Sequence, residues 1–391
     1  WKIMVKKTDH LEKIIDPDKV YPVFAGSAEL SPFHQCYCNQ ETILRAAAGR
    51  LYVHYNGEDI GKTYWALRQN AALYDVPERP LEISGPDAVK FLNLIFTRRV
   101  DQLRIGRGYY SLACTSDGGI FMDGILFKLS SERFWFVQPD GDMNTWLIAH
   151  KDGFDVKISD PNSRVLQIQG PSSLKIMYDA SNGQIDATLK YFNSGFYKIG
   201  GQEVYVSRTG WSGELGYEIY TQGKSTNCMA LWNHLTEIGK GHGMLFSSMQ
   251  SINIRRIEAG IFDSGSDFDV TMTPYEAGLE KFVDLTKESF IGRQALIESN
   301  APKDTRIYGI KCQSIVPKGG LKIFDKASKV GMVTTGAYSP FLKTGIGYVR
   351  FDRASNWREK KLTIQAADNQ IFDCKILSLP FYDKEKKLPR E

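Results

Sequence analysis

The sequence offers nothing that reads as a membrane span. No apolar stretch reaches the roughly 20 residues that a crossing helix needs. The first residues also lack the charged-then-apolar pattern of a secretory leader. Charge of one sign is scarce: the net charge is +4, with no long lysine–arginine run and no basic helix, which argues against a dedicated nucleic-acid binder. The six cysteines (36, 38, 114, 228, 312 and 374) are scattered, which predicts free thiols in a reducing cytoplasm rather than a disulfide scaffold. His34-x-Cys36-x-Cys38 has a metal-like look, but no second ligand pair follows at a zinc-like spacing, so no metal is expected. Asp383 to Arg390 is a dense charge cluster and reads as a solvated tail.

What is present is the composition of a soluble globular protein, 42% hydrophobic and 24% charged. A length of 391 residues predicts two or three domains. Residues 1–56 read as an irregular N-terminal extension, 57–300 as an α+β region of two interleaved domains, and 301–391, rich in short strands and glycine turns, as a small β-barrel. Asp59 to Leu73 reads as an amphipathic helix. Leu81-Glu82-Ile83-Ser84-Gly85-Pro86-Asp87-Ala88-Val89-Lys90 is a strand, a turn and a helix with proline near its start. The pattern returns 85 residues later as Leu166-Gln167-Ile168-Gln169-Gly170-Pro171-Ser172-Ser173-Leu174-Lys175. Two such units predict a duplicated α+β module rather than a solenoid, which would need more copies.

The segment from Ser207 to Ile219 is the most informative. Gly210, Gly213 and Gly216 punctuate seven residues, so the backbone can turn tightly there and approach a ligand closely. Glu218 lies in a strand between Tyr217 and Ile219. Simple alternation gives it the solvent face of a polar hairpin. If it points inward it must be paired, and a planar ligand with two adjacent N–H donors would be a fitting partner.

Ordered blocks from about residue 60 to 382 resemble the folate-dependent glycine-cleavage T-protein superfamily. They are Ile83-Ser84-Gly85-Pro86-Asp87-Ala88, Gly118-Gly119-Ile120, Gln169-Gly170-Pro171, Arg208-Thr209-Gly210-Trp211-Ser212-Gly213-Glu214, Arg256-Ile257-Glu258-Ala259-Gly260, Thr273-Pro274-Tyr275-Glu276-Ala277-Gly278, Ile291-Gly292-Arg293-Gln294-Ala295 and Leu379-Pro380-Phe381. The resemblance implies a three-domain cloverleaf around a central channel that takes tetrahydrofolate, pterin first. It gives Glu218 the role of the pterin-binding glutamate, with Tyr110, Trp211 and Gln138 as further cofactor contacts. Core packing is the plainer reading of Tyr110 and Trp211.

Two departures shape the functional expectation. The family's G-G-I-x-D-D element reads Gly118-Gly119-Ile120-Phe121-Met122-Asp123 here, so Met122 takes the place of the first aspartate. Ile252 takes the place of an arginine. A thioether has no acid–base function. The expected activity is therefore tetrahydrofolate-dependent demethylation of a small-molecule onium donor, as in the dimethylsulfoniopropionate demethylase branch, whose leaving group departs neutral. Tyr109, Trp211 and Trp135 are expected to face that cation. Asp123, with Tyr109, is the remaining candidate acid–base group, unless it is a surface carboxylate at a strand end. Aminomethyl transfer from a lipoyl carrier protein is the alternative, with Met122 and Ile252 speaking against it. A non-enzymatic iron–sulfur maintenance factor ranks lower. That branch carries K-G-C-Y-x-G-Q-E, and Lys287-Glu288-Ser289-Phe290-Ile291-Gly292-Arg293-Gln294 lacks the cysteine.

Overall fold

The computed structural model of the chain describes residues 26–299 and 304–390, so the first part of the expected N-terminal extension lies outside the described residues. The rest of that extension is not irregular. It holds a three-stranded sheet in the order Glu29–Leu30, Arg50–Tyr55, Ile43–Ala47, and a short helix, His34–Tyr37. Phe33 joins this unit to the main body by packing, fully buried, in the neighbouring core.

The main body is α+β. A six-stranded sheet runs Ser194–Ile199, Gln202–Ser207, Gly216–Tyr220, Val165–Gln169, Ala71–Val76, Met244–Phe246. A five-stranded sheet runs Arg107–Cys114, Ile120–Ser130, Arg133–Gln138, Arg79–Ser84, Lys157–Ser159. The two repeated strands sit one in each sheet, and each sheet takes a strand from the chain leading into the other's repeat. Ala71–Val76 precedes Arg79–Ser84 in sequence but pairs with Val165–Gln169. Lys157–Ser159 precedes Val165–Gln169 but pairs with Arg79–Ser84. This reciprocal exchange corrects the helix expected over Asp59 to Leu73. The helix is Ile60–Gln69, capped by the Asp59 side chain, and the apolar residues after Asn70 form a strand buried at every position.

The helices that follow the two repeated strands bury the same face. Ala88, Phe91, Leu92 and Ile95 are the buried residues of Ala88–Ile95; Ser173, Ile176, Met177 and Ala180 are those of Ser173–Ala180. Spacing of i, i+3, i+4 and i+7 lays one apolar stripe on each sheet. The opposite faces of the two sheets meet each other. Phe127, Trp135 and Val137 from one pack with Tyr74, Val165, Tyr205 and Tyr220 from the other. The third lobe is a closed six-stranded barrel, Ile307–Cys312 through Ile371–Leu377. It meets the body beside a cluster of buried charge as well as through apolar contact. Arg255 and Arg68 both bond Glu214, at 2.7 and 2.8 Å, and Glu258 accepts from Tyr64 and from Ser339 of the barrel. The tail is not simply solvated: Pro389 is buried, and Asp383 and Lys386 line a crevice with Tyr191 and Arg255.

The glycines of the two repeated turns hold equivalent conformations. Gly85 has φ +133° and Gly170 φ +124°. A Cβ would lie 2.4 Å from the Asp155 carbonyl oxygen at the first and 2.6 Å from that of Asn70 at the second. Gly85→Ala and Gly170→Ala should each destabilise by more than about 1 kcal/mol and lower the melting temperature by at least a few degrees. Glu214→Gln, which leaves two buried guanidinium groups short of a charge partner, should cost about 3–5 kcal/mol in denaturant unfolding.

Candidate functional site

The two β-sheets face each other, and each presents a buried carboxyl group on that side. In the six-stranded sheet, Ser207, Glu218, Gln167 and Tyr74 stand side by side in register on adjacent strands. Tyr217 and Ile219 point the other way, into the core beneath the helices, so the strand is buried on both faces and alternation gives Glu218 no route to solvent. Its Oε2 accepts from Thr209 Oγ1 (2.6 Å), Tyr220 Oη (2.6 Å) and Ser207 Oγ (3.3 Å). Its Oε1 accepts only from Gln167 Nε2 (3.1 Å) and keeps a free lone pair. Burial raises the Glu218 pKa, and the hydroxyl bonds oppose that rise.

The glycines of the segment explain how this carboxyl is framed. Gly210 and Gly216 pack against the side chain of Gln169, where a Cβ would come within 2.1 and 2.3 Å of it. Gln169 in turn bonds Ser212 Oγ and the Thr209 carbonyl. The close approach that the glycines permit is thus to a neighbouring side chain.

In the five-stranded sheet, Asp123, Ile125 and Phe127 share the face that meets the other sheet. Asp123 accepts from Tyr110 Oη at 2.9 Å, and its Oδ1 is buried without a protein partner. Burial pushes the Asp123 carboxyl up to about 6, against the lowering effect of the Tyr110 bond and the nearby Ser264 hydroxyl. Tyr110 also meets the Phe282 ring edge-on at 4.6 Å. Trp211 is tied to the loop beside Ser264, its Nε1 donating to the Phe262 carbonyl at 3.3 Å.

Strand direction turns three of the residues expected at the site away from the inner face, and packing encloses a fourth. Met122 is one residue from Asp123 and so points to the opposite face, where it is 4% exposed in the helix-side core with Leu126 and Met143. Tyr109, next to Tyr110, also lies on that other side, with the Arg98 guanidinium 4.2 Å from its ring centroid. Gln138 is on the helix-side face too, where its Oε1 accepts from the Met143 backbone N–H (3.0 Å) at the start of a helix. Trp135 is on the inner face but fully packed, against Tyr205 and Tyr220, with its Nε1 donating to Glu82. Ile252 is fully buried in the same inter-sheet cluster.

The residues around Glu218 that sequence reasoning passed over are Gln167, Thr209, Tyr220 and Glu78. Thr209 and Tyr220 lie within the informative segment or beside it, and a buried Glu218 would have directed attention to them. Gln167 sits inside the second repeated strand. Glu78 carries no sequence signal: it lies in a connection, and only the fold brings its Oε1 to Gln167 Nε2, at 3.0 Å.

Comparison with known proteins agrees with this architecture. Residues 47–287 match the GCVT N-terminal domain, and residues 306–383 match the glycine cleavage T-protein C-terminal barrel domain. An aminomethyltransferase of Halothermothrix orenii is 32% identical over 325 residues, 81% of this chain and 89% of that protein. One of Thermoanaerobacter pseudethanolicus is 30% identical over 359 residues, 86% of this chain and 97% of that protein. The crystal structure of the glycine cleavage system aminomethyltransferase T from Bartonella henselae shares the fold, with a TM-score of 0.80, 24% identity, and coverage of 91% of this chain and 98% of that one. The chain belongs to the glycine-cleavage T-protein family.

Proposed function

We propose that the protein transfers an aminomethyl-type one-carbon unit to tetrahydrofolate, the one-carbon acceptor of this family, with a lipoyl carrier protein as the donor's bearer. The observation that carries this reading is the pair of buried carboxyl groups on the facing sides of the two sheets, each with an acceptor site left free. The ring N–H and exocyclic amine of a pterin are two adjacent donors, and a carboxylate is their complement. Glu218 is such a carboxylate, held rigidly by three hydroxyl groups and an amide.

Asp123 supplies the acid–base function. A group held near 6 is mostly ionised at neutral pH yet readily protonated, so it can receive the proton that the folate nitrogen sheds as its new bond to carbon forms. Met122, the main residue speaking against a lipoyl-borne donor, is turned away from this face by the fold. The name that the relatives carry supports the same reading, and Ile252 remains a departure from the family.

Onium demethylation has less support here. Of the aromatic residues expected to receive the cation, Tyr109 has the Arg98 guanidinium 4.2 Å away and Trp211 has that of Arg256 at 5.0 Å. A second cation at either ring would be repelled. Trp135 is enclosed by its neighbours.

The deciding assay offers tetrahydrofolate with an aminomethyl-loaded lipoyl carrier, with sulfonium compounds and with betaines. The expected products are ammonia and 5,10-methylenetetrahydrofolate from the first alone. Formation of 5-methyltetrahydrofolate from a sulfonium, with no reaction of the carrier, would replace this reading by demethylation. Glu218→Ala should weaken folate binding at least about ten-fold, measured by titration calorimetry. Asp123→Asn should lower kcat by about 10²–10⁴-fold while leaving folate affinity nearly unchanged. Because Asp123 acts as the ionised base, wild-type kcat/KM should be full above about 6 and fall as pH drops through that value; a profile flat through that range would remove Asp123 from the chemistry. Met122→Leu should leave turnover within about two-fold of wild type, as expected for a conservative core exchange.

A further inference from the structure

Glu218 does not stand alone. Gln167 Nε2 donates to Glu218 Oε1 at 3.1 Å and to Glu78 Oε1 at 3.0 Å. Both distances share one nitrogen, so the two carboxylate oxygens lie within about 6 Å of each other. The orientation of the Gln167 amide is dictated by chemistry, since its oxygen turned towards two carboxylates would be repelled. That leaves Gln167 Oε1, on a fully buried side chain, with no protein partner. Glu78 is half-buried as a residue, but its Oε2 is buried and also lacks a partner. Among the described residues, no lysine or arginine bonds either carboxyl group.

The result is a row of three side chains with several free acceptors; Arg50, whose Nη1 bonds the Glu78 backbone carbonyl, keeps its Nε and Nη2 without hydrogen-bond partners. Buried acceptors left unpaired are costly, each by about 1–3 kcal/mol, so such a row calls for a ligand rich in N–H groups. A single carboxylate satisfies only part of a pterin's edge. The ring N–H and one hydrogen of the exocyclic amine can face Glu218, and the second amine hydrogen then needs its own acceptor.

We propose that Glu78 is that acceptor, so that Glu78, Gln167 and Glu218 together read the 2-amino group of the pterin. This rests on the assignment of Glu218 to the pterin edge and extends it to a specificity-determining residue. Burial and the neighbouring Glu218 charge both raise the Glu78 pKa, as expected for a carboxyl group that lacks its donor.

The test compares tetrahydrofolate with its 2-desamino counterpart, which carries hydrogen in place of the amine, on the full chain by titration calorimetry. Wild type should bind the desamino compound at least about ten-fold more weakly. Glu78→Ala should weaken tetrahydrofolate by about ten-fold and the desamino compound by less than about two-fold, so that discrimination collapses. Equal losses for both ligands would mean that Glu78 merely holds Gln167 in place, and would overturn the proposal. Wild-type indifference to the 2-amino group would overturn it as well. Melting curves establish that the variant is folded; should Glu78→Ala fail to fold, Glu78→Gln carries the same comparison, with a smaller but same-signed loss of discrimination expected. Glu218→Ala in the same titration separates the two assignments. If it binds tetrahydrofolate as wild type does, the pterin reading itself falls. If it loses binding while Glu78→Ala leaves discrimination intact, only the role of Glu78 falls.

Discussion

The burial of one carboxyl group organises this site. Glu218 occupies the middle of a strand that is buried on both faces, a position where an uncompensated charge would be prohibitive. Three hydroxyl groups, one amide and a ring of packed aromatics make it tolerable. The Ser207 and Thr209 hydroxyls also bond each other, which fixes the strand end that leads into the glycine segment. Nothing in this network is needed to build a sheet. An apolar residue at position 218 would pack between Tyr220 and Gln167 with less penalty, so a partner with N–H donors gives the arrangement its sense.

The rest of the fold puts that carboxyl and Asp123 on the facing sides of the two sheets. The two sheets are copies of one module, yet neither is closed within its own stretch of chain, because each borrows a strand from the segment leading into the other's repeat. Their inner faces are therefore fixed relative to each other by backbone hydrogen bonds as well as packing. The symmetry breaks where function begins. In the strand row that corresponds to Ser207–Glu218–Gln167, the other sheet places Phe127, Trp135 and Glu82. There the Glu82 carboxyl is occupied by Trp135 and Arg133. One copy of the row is filled by the protein's own side chains, and the other keeps acceptors free.

Much of this was legible in the sequence. The 85-residue repeat, the barrel and most strands follow from turn chemistry and periodicity, and the repeated G-P turns fall where a residue with a side chain would collide with backbone. The α+β class with its closed C-terminal barrel stands as read. What sequence could not supply was direction. Met122 and Asp123 are neighbours in the chain, but a strand sends them to opposite faces, and an argument about chemistry drawn from Met122 was an argument about a core residue. Tyr109 and Tyr110 divide in the same way. Ala71 to Leu73 reads as the end of the preceding helix because a short apolar run has no period of its own, and only the pairing of Ala71–Val76 with Val165–Gln169 makes it a strand. Glu78 was invisible because its role depends on a contact across 89 positions of sequence.

A crystal structure with a bound reduced folate tests the central claim most directly. The account predicts the pterin between the two sheets, its amide and amine edge on the Glu218 carboxyl group and its reacting nitrogen turned towards Asp123. A pterin bound elsewhere, or one between the sheets with its amine edge directed away from Glu218, would contradict it.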